Sequence, residues 1–156
     1  MESFSRMKDK KLVVIGTGPD EKKIRKLAGP NVEFTGFLPV EAMADIFRRA
    51  KAFVFAAEED FGIVPLEAQA AGTPVIAFGR GGALETVRGI ESVDPTGIFF
   101  KEQTVSALCQ AVAELEREYE QFKPAAFAEQ VARFSPDKFR KAFMETVMDC
   151  YNAGQG

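Results

Sequence analysis

The chain has 156 residues, 46% hydrophobic and 28% charged, a balance that suits one folded domain and excludes disordered or collagen-like composition. Its 20 basic and 23 acidic residues leave a net charge of −3, so there is no basic footprint for nucleic acid or anionic headgroups. The absence of histidine excludes Ser-His-Asp and Cys-His nucleophiles, His-ligated zinc and imidazole proton shuttles, and two cysteines are too few for a four-thiolate metal site or a disulfide framework.

The first strong segment, residues 11–15, is a short β-branched run that ends at Gly16-Thr17-Gly18-Pro19, the pattern of a buried parallel strand entering a turn. Asp20 caps a helix to about Leu27, stopped by Gly29-Pro30, and residues 32–35 form a second strand. After the loop 36–39, residues 40–50 place Met43, Ile46 and Phe47 on one helical face, and residues 52–56 form a third strand. Pro65 suits the first turn of a helix with Val64 as its cap, and Gly72-Thr73-Pro74 ends it before a strand at 75–78. The turn 79–82, a short helix at 84–87 and a strand at 97–100 follow, and then a long helix runs from Val105 to about Phe122, capped by Thr104.

This βαβα alternation with short connections predicts an α/β fold: a single Rossmann-like parallel sheet with helices on both faces. Beyond Pro124 only helices are expected, at 125–134 and 136–151, so residues 1–123 read as the sheet domain and 124–156 as a helical extension. On the last helix Phe139, Phe143, Val147 and Tyr151, with Met144 and Met148, form an apolar stripe that a second surface must cover. Cys109 and Cys150 fall on helices and read as reduced core or interface thiols, and residues 152–156 read as a frayed tail. No apolar run approaches the ~18 residues of a membrane span and Met1-Glu2-Ser3 does not open a signal peptide, so the expected compartment is the cytosol.

In an open α/β sheet, ligands bind beyond the carboxyl ends of the strands. The turn holding Gly16 and Gly18 either lets a ligand approach the backbone or is a plain tight turn; Glu21 stands where the dinucleotide fingerprint needs its third glycine. Glu58, Glu59 and Asp60 repel one another and offer nothing to a core, while Phe61 and Gly62 precede a helix whose first amides, at Ile63 and Val64, can receive an anion. Glu67, near the third position of that helix, either complements its dipole or accepts vicinal hydroxyls; Val64 as cap has no oxygen for a capping box. The loop Phe37-Leu38-Pro39 is an apolar plug or a wall for a base, and Gly79-Arg80-Gly81-Gly82 is a flexible turn or part of the same site.

Taken together and in this order, these residues resemble the C-terminal, donor-binding domain of retaining GT-B glycosyltransferases of family 4, the group 1 glycosyltransferases. The resemblance is carried by Gly16 to Pro19, residues 32–39, the E-x7-E pair Glu59 and Glu67 with Phe61-Gly62 inside it, residues 67–75, Gly81-Gly82 followed by Glu85, and Thr96-Gly97-Ile98. It implies that Glu59 contacts the donor sugar at the reacting centre. Amides of Phe61, Gly62, Ile63 and Val64 hold sugar and diphosphate, Glu67 holds the ribose hydroxyls, and the Phe37-Leu38-Pro39 loop takes the base. It further implies transfer with retention, usually without a metal or other cofactor, from a nucleotide sugar; residues 96–104 look most like O-antigen-type mannosyltransferases, which makes GDP-mannose the leading donor.

The same resemblance implies a partner, an acceptor-binding N-terminal domain, toward which the last helix crosses, and an Arg and a Lys upstream of Met1 that clamp the diphosphate. Peripheral membrane association is implied only through that larger enzyme. Two other readings stand beside it: an NAD(P)-dependent oxidoreductase, which lacks its third glycine and has Thr35-Gly36 where an acidic residue belongs, and a non-catalytic nucleotide-sugar-binding or docking module.

Overall fold

The computed structural model describes residues 1–154. It alternates short parallel strands and helices: α1 (Glu2–Arg6), β1 (Leu12–Ile15), α2 (Glu21–Leu27), β2 (Val32–Gly36), α3 (Val40–Arg49), β3 (Phe53–Phe55), α4 (Ile63–Ala70), β4 (Val75–Phe78), α5 (Ala83–Thr86), β5 (Gly97–Phe100), α6 (Val105–Arg117), α7 (Pro124–Ala132) and α8 (Pro136–Ala153). All pairings of strands are parallel, and β4 lies between β3 and β5.

The period-two alternation of strand side chains divides the core into two layers. Ile76 and Phe78 of β4 and Ile98 and Phe100 of β5 meet Phe4 of α1 and Ala111, Val112 and Leu115 of α6 on one face. Val75 and Ala77 point the other way, to Phe47 of α3, Phe55 of β3 and Ala68 of α4, with Ala83 and Val87 beyond. Burying an Ile or Leu side chain contributes roughly 1.5–3 kcal/mol, so these facing rows hold the sheet between its helices. Gly97 is glycine because a Cβ there would collide with the Val75 carbonyl and Val87, so β5 can approach β4 only without one.

Several boundaries differ from expectation. The sheet is not one continuous ladder: β1 pairs with β2, and β3, β4 and β5 form a second ladder. Helix α1 carries no sequence periodicity long enough to announce it, yet its Phe4 is buried in the core. The long helix stops at Arg117, and a 3-10 turn at Tyr119–Gln121 takes its last residues. Asp20 stands at the cap of α2 without a side-chain hydrogen bond to it, whereas the Thr104 hydroxyl accepts from the Ala107 amide as expected. Asn152 and Ala153 continue α8 rather than fraying, and the remainder of the expected tail, 155–156, lies outside the described residues.

Helix α7 packs against α4 and buries Ala126, Phe127 and Gln130. Helix α8 buries none of its residues, and Phe139 is 68% exposed. Cys109 is half-buried on α6, where its thiol lies 3.8 Å from the Ser3 carbonyl, and Cys150 is exposed on α8. Among the described residues no helix is long and apolar enough to cross a membrane.

Candidate functional site

The residues singled out by the sequence emerge at the carboxyl ends of the strands in two groups. In the first, the turns after β1 and β2 are joined by the Gly16 amide, which donates to the Gly36 carbonyl at 2.7 Å. Both glycines have positive φ, 102° and 69°. Thr17, Gly18 and Pro19 then line an open cleft of about 220 Å³ with Val14, Glu21, Ile24 and Phe34. A Cβ on Gly18 would meet nothing within 4 Å, so packing does not require glycine there and the space above it is free. Phe37 is 84% exposed, Leu38 is half-buried, and Pro39 occupies the N-cap of α3.

The second group is built from the loops after β3 and β4. The carboxylates Glu58, Glu59 and Asp60 are exposed, and no ion pair among the described residues engages them or Glu67. Their backbone is fixed firmly: the Gly82 amide donates to the Glu59 carbonyl at 2.7 Å. A Cβ on Gly81 would strike the Glu59 carbonyl, and one on Gly82 would strike the Phe61 backbone. The glycine-rich turn is therefore the seat on which the acidic loop rests. Gly81 and Gly82, which in the sequence read as a flexible turn or as part of the same site, are thus packing residues whose missing Cβ atoms seat the acidic loop.

Gly62 turns the chain into α4 with φ 79° and ψ 78°, a left-handed conformation that costs an ordinary residue roughly 1–2 kcal/mol. The helix begins at Ile63, two residues earlier than the Pro65 start expected, with Gly62 rather than Val64 as its cap. No side chain caps this end and no acidic residue lies in its first turn, so the amides of Ile63 and Val64 are uncapped; Pro65 has none. Glu67 accordingly occupies the fifth helical position, outside capping-box range, which removes that explanation for it. Four residues after Ile63, it lies one turn along the same face, and its Cβ tilts back toward the helix start. Ile63 and Glu67 are exposed while Pro65, Leu66, Ala68 and Gln69 are buried, so this face of α4 is the open one.

A buried polar cluster supports the site from behind. The Gln69 amide group donates to the carbonyls of Pro65 and Thr86, each at 3.0 Å, and the Gln130 amide group donates to the Thr86 carbonyl at 2.9 Å. The Thr86 hydroxyl returns to the Gly82 carbonyl at 3.0 Å, which connects α7 through α5 to the glycine turn. The Phe61 ring meets Phe134 edge to face, with centroids 5.5 Å apart, and the Gln103 side chain donates to the Ala56 carbonyl at 2.8 Å. Gln103 thus ties the end of β3 to the loop after β5. Glu59, Phe61, Gly62, Ile63, Val64 and Glu67 lie along the loop after β3 and the first turns of α4, whereas Gly16, Gly18, Phe37, Leu38 and Pro39 form a separate group on the other ladder.

Parallel strands under two helical layers, with glycine turns and a bare helix start at their carboxyl ends, define an α/β domain of the Rossmann-like type. The model of the family described as "Glycosyl transferases group 1" matches residues 1–138, and the chain belongs to that family. It is 40% identical over 121 residues to the GDP-mannose-dependent alpha-(1-6)-phosphatidylinositol monomannoside mannosyltransferase of Mycobacterium tuberculosis, an alignment covering 67% of this chain and 29% of that protein. The GDP-mannose-dependent monoacylated alpha-(1-6)-phosphatidylinositol monomannoside mannosyltransferase of Corynebacterium glutamicum is 36% identical over 118 residues, covering 69% of this chain and 30% of its own length. In fold, the chain is similar to the sucrose-phosphate synthase of Thermosynechococcus elongatus, with a TM-score of 0.76 at 24% identity over 97% of this chain and 41% of that one. The chain therefore spans about 30% of the length of these curated relatives.

Proposed function

We propose that this chain is the donor-binding part of a retaining glycosyltransferase that moves mannose from GDP-mannose to a saccharide or lipid-linked acceptor. The observation that carries this reading is the open face of α4, where the uncapped amides of Ile63 and Val64 and the carboxylate of Glu67 lie one helical turn apart. That spacing suits a phosphate on the amides and a ribose on the carboxylate, since a helix start attracts anions and a carboxylate accepts two vicinal hydroxyls. Glu59, held by its carbonyl on Gly82, supplies an exposed carboxylate for sugar hydroxyls at the reacting carbon. The Phe37-Leu38-Pro39 loop and the cleft beside Gly16 and Gly18 supply apolar walls for the base. Dependence of two relatives on GDP-mannose supports the choice of donor.

In this reading the bond from the anomeric carbon to the diphosphate breaks, one to the acceptor oxygen forms on the same face, and the acceptor hydroxyl's proton passes to the leaving diphosphate. Charge grows on the leaving diphosphate and on an oxocarbenium-like sugar, and oriented helix amides stabilise the former without a metal. An N-terminal domain holds the acceptor and adds cations for the diphosphate, and residues 124–156 reach from the sheet domain toward it. The enzyme works in the cytosol, at the inner membrane face when its acceptor is a lipid. The second reading, a non-catalytic docking module, is favoured by one observation, the exposed apolar face of α8.

Calorimetric titration separates the carboxylates. Glu67→Ala should weaken GDP binding by about 1–3 kcal/mol, because two ribose hydroxyls lose their acceptor, and Glu58→Ala should leave it unchanged. Glu59→Ala should spare GDP and weaken GDP-mannose. Equal losses at Glu67 and Glu58 would overturn the assignment, and no binding of any nucleoside diphosphate would leave the docking module. The chain alone should bind GDP or UDP weakly without a divalent metal and transfer no sugar until an N-terminal domain with its Arg and Lys is restored.

A further inference from the structure

Residues 59–61 are held from behind by two routes that start at one place, the end of α7. Gln130 is fully buried, and its side-chain amide donates to the carbonyls of Glu85 at 3.3 Å and Thr86 at 2.9 Å. Its Oε1 accepts from Arg133 Nη1 at 2.8 Å, so both polar atoms of the side chain are engaged. A flipped amide would set Oε1 against two carbonyls and the amide protons against the guanidinium, so Arg133 fixes which way Gln130 faces. This polar route continues through Thr86, whose amide and hydroxyl both donate to the Gly82 carbonyl. It ends where the Gly82 amide donates to the Glu59 carbonyl.

The second route is aromatic. The guanidinium carbon of Arg133 lies 5.6 Å from the centre of the Phe134 ring, within cation–π range, and that ring meets Phe61 edge to face. Phe61 directly precedes Gly62, where a φ of 79° turns the chain into α4. Arg133 is therefore common to both routes, one ending on the Glu59 carbonyl and the other on the Phe61 ring. Although the residue is exposed, no carboxylate among the described residues pairs with it. Its contacts are with Gln130 and Phe134 instead.

We propose that Gln130, Arg133 and Phe134 are positioning residues for the donor site. They act on a ligand only through the backbone of Glu59 to Phe61, which they clamp so that the Glu59 carboxylate and the amides of Ile63 and Val64 present to the same molecule. Two anchors on neighbouring loop residues restrict rotation of the loop as well as its displacement, which one anchor does not. A loop ordered in advance raises affinity, because the ligand then bears less of the cost of ordering it. The identity of that ligand rests on the donor-binding reading above; the clamp itself does not.

Arg133→Met and Phe134→Leu test the clamp in the 156-residue chain, with Arg140→Met as the control for a lost positive charge, since Arg140 pairs with Asp137 on α8. In hydrogen exchange by NMR the Gly82 amide should exchange at least about tenfold faster in Arg133→Met, while Ile76 and Ile98 keep their rates. Arg133→Lys, which retains a charged donor for Gln130, should recover most of that protection. Calorimetric titration at about 0.5 M salt screens direct attraction between an exposed arginine and a diphosphate. Under those conditions Arg133→Met and Phe134→Leu should each bind GDP about threefold to tenfold more weakly than the unmodified chain, and Arg140→Met should match that chain. Unchanged Gly82 exchange in Arg133→Met, or an acceleration shared equally by Ile76 and Ile98, would overturn the proposal. Undiminished GDP affinity beside a loosened Gly82 would overturn it as well. If the unmodified chain binds neither GDP nor UDP, the donor-binding reading falls, and the Gly82 exchange alone decides whether the clamp exists.

Discussion

Strand β4 and helix α8 begin from similar apolar chemistry and end differently. Every residue of Val75–Phe78 is buried, whereas Pro136–Ala153 buries none, although Phe139, Phe143, Met144, Val147 and Met148 are as apolar as residues of the core. The difference lies in neighbours. β4 has a strand on each side and a helical layer on each face, all from within the chain, and α8 has only solvent along its stripe. A hydrophobic pattern specifies that a face is to be covered and is silent about what covers it.

The comparison breaks most severely at Gly97. Gly97→Ala should destabilise by about 3 kcal/mol or more, because the new Cβ enters the Val75 backbone, as for overpacking against an unyielding strand. Loss of near-ultraviolet dichroism checks it. Ile76→Ala, at 1% exposure, should destabilise by about 2–5 kcal/mol in urea titration, from lost transfer energy and the residual cavity. Phe143→Ala removes more carbon from the chain, and yet at 56% exposure it should shift stability by no more than about 0.5 kcal/mol. Equal losses at Ile76 and Phe143 would show that α8 packs on a surface in solution.

The smallest expected effect concerns acid. A hydrogen bond from Lys10 holds the Asp9 carboxyl below its usual range, Lys11 does the same for Glu33, and Arg117, with Gln121, for Glu118. A carboxylate pKa lowered by folding adds stability above the unfolded value, about pH 4, and loses it as pH falls through the folded one. These pairs are exposed, so thermal scans should show only a slight decline in Tm below pH 4, and about 1 M salt should erase most of it.

Much of the local geometry of the candidate site was legible before folding because it depends on neighbouring residues. Glu58, Glu59 and Asp60 repel one another wherever the chain places them, Gly62 is the residue that a left-handed entry to α4 requires, and Pro65 marks the first turn of that helix within two residues. Helix α1 was not legible: five residues carry too little periodicity, and Phe4 is buried only because α6 returns to the same face from a hundred residues away. The role of Gly81 and Gly82 was hidden for a similar reason, since their lack of Cβ matters only once the backbone of Glu59 and Phe61 lies upon them.

By itself the sequence determined the order of strands and helices, the parallel class of the sheet and the loops that carry carboxylates, because these follow from residue spacing within ten or so positions. Only the tertiary structure decided that the strands form two ladders, that α4 starts at Ile63 with Glu67 one turn along its open face, and that α7 is covered while α8 is not. Those outcomes depend on which surfaces meet across long stretches of chain, where a single amide or a missing Cβ decides what fits.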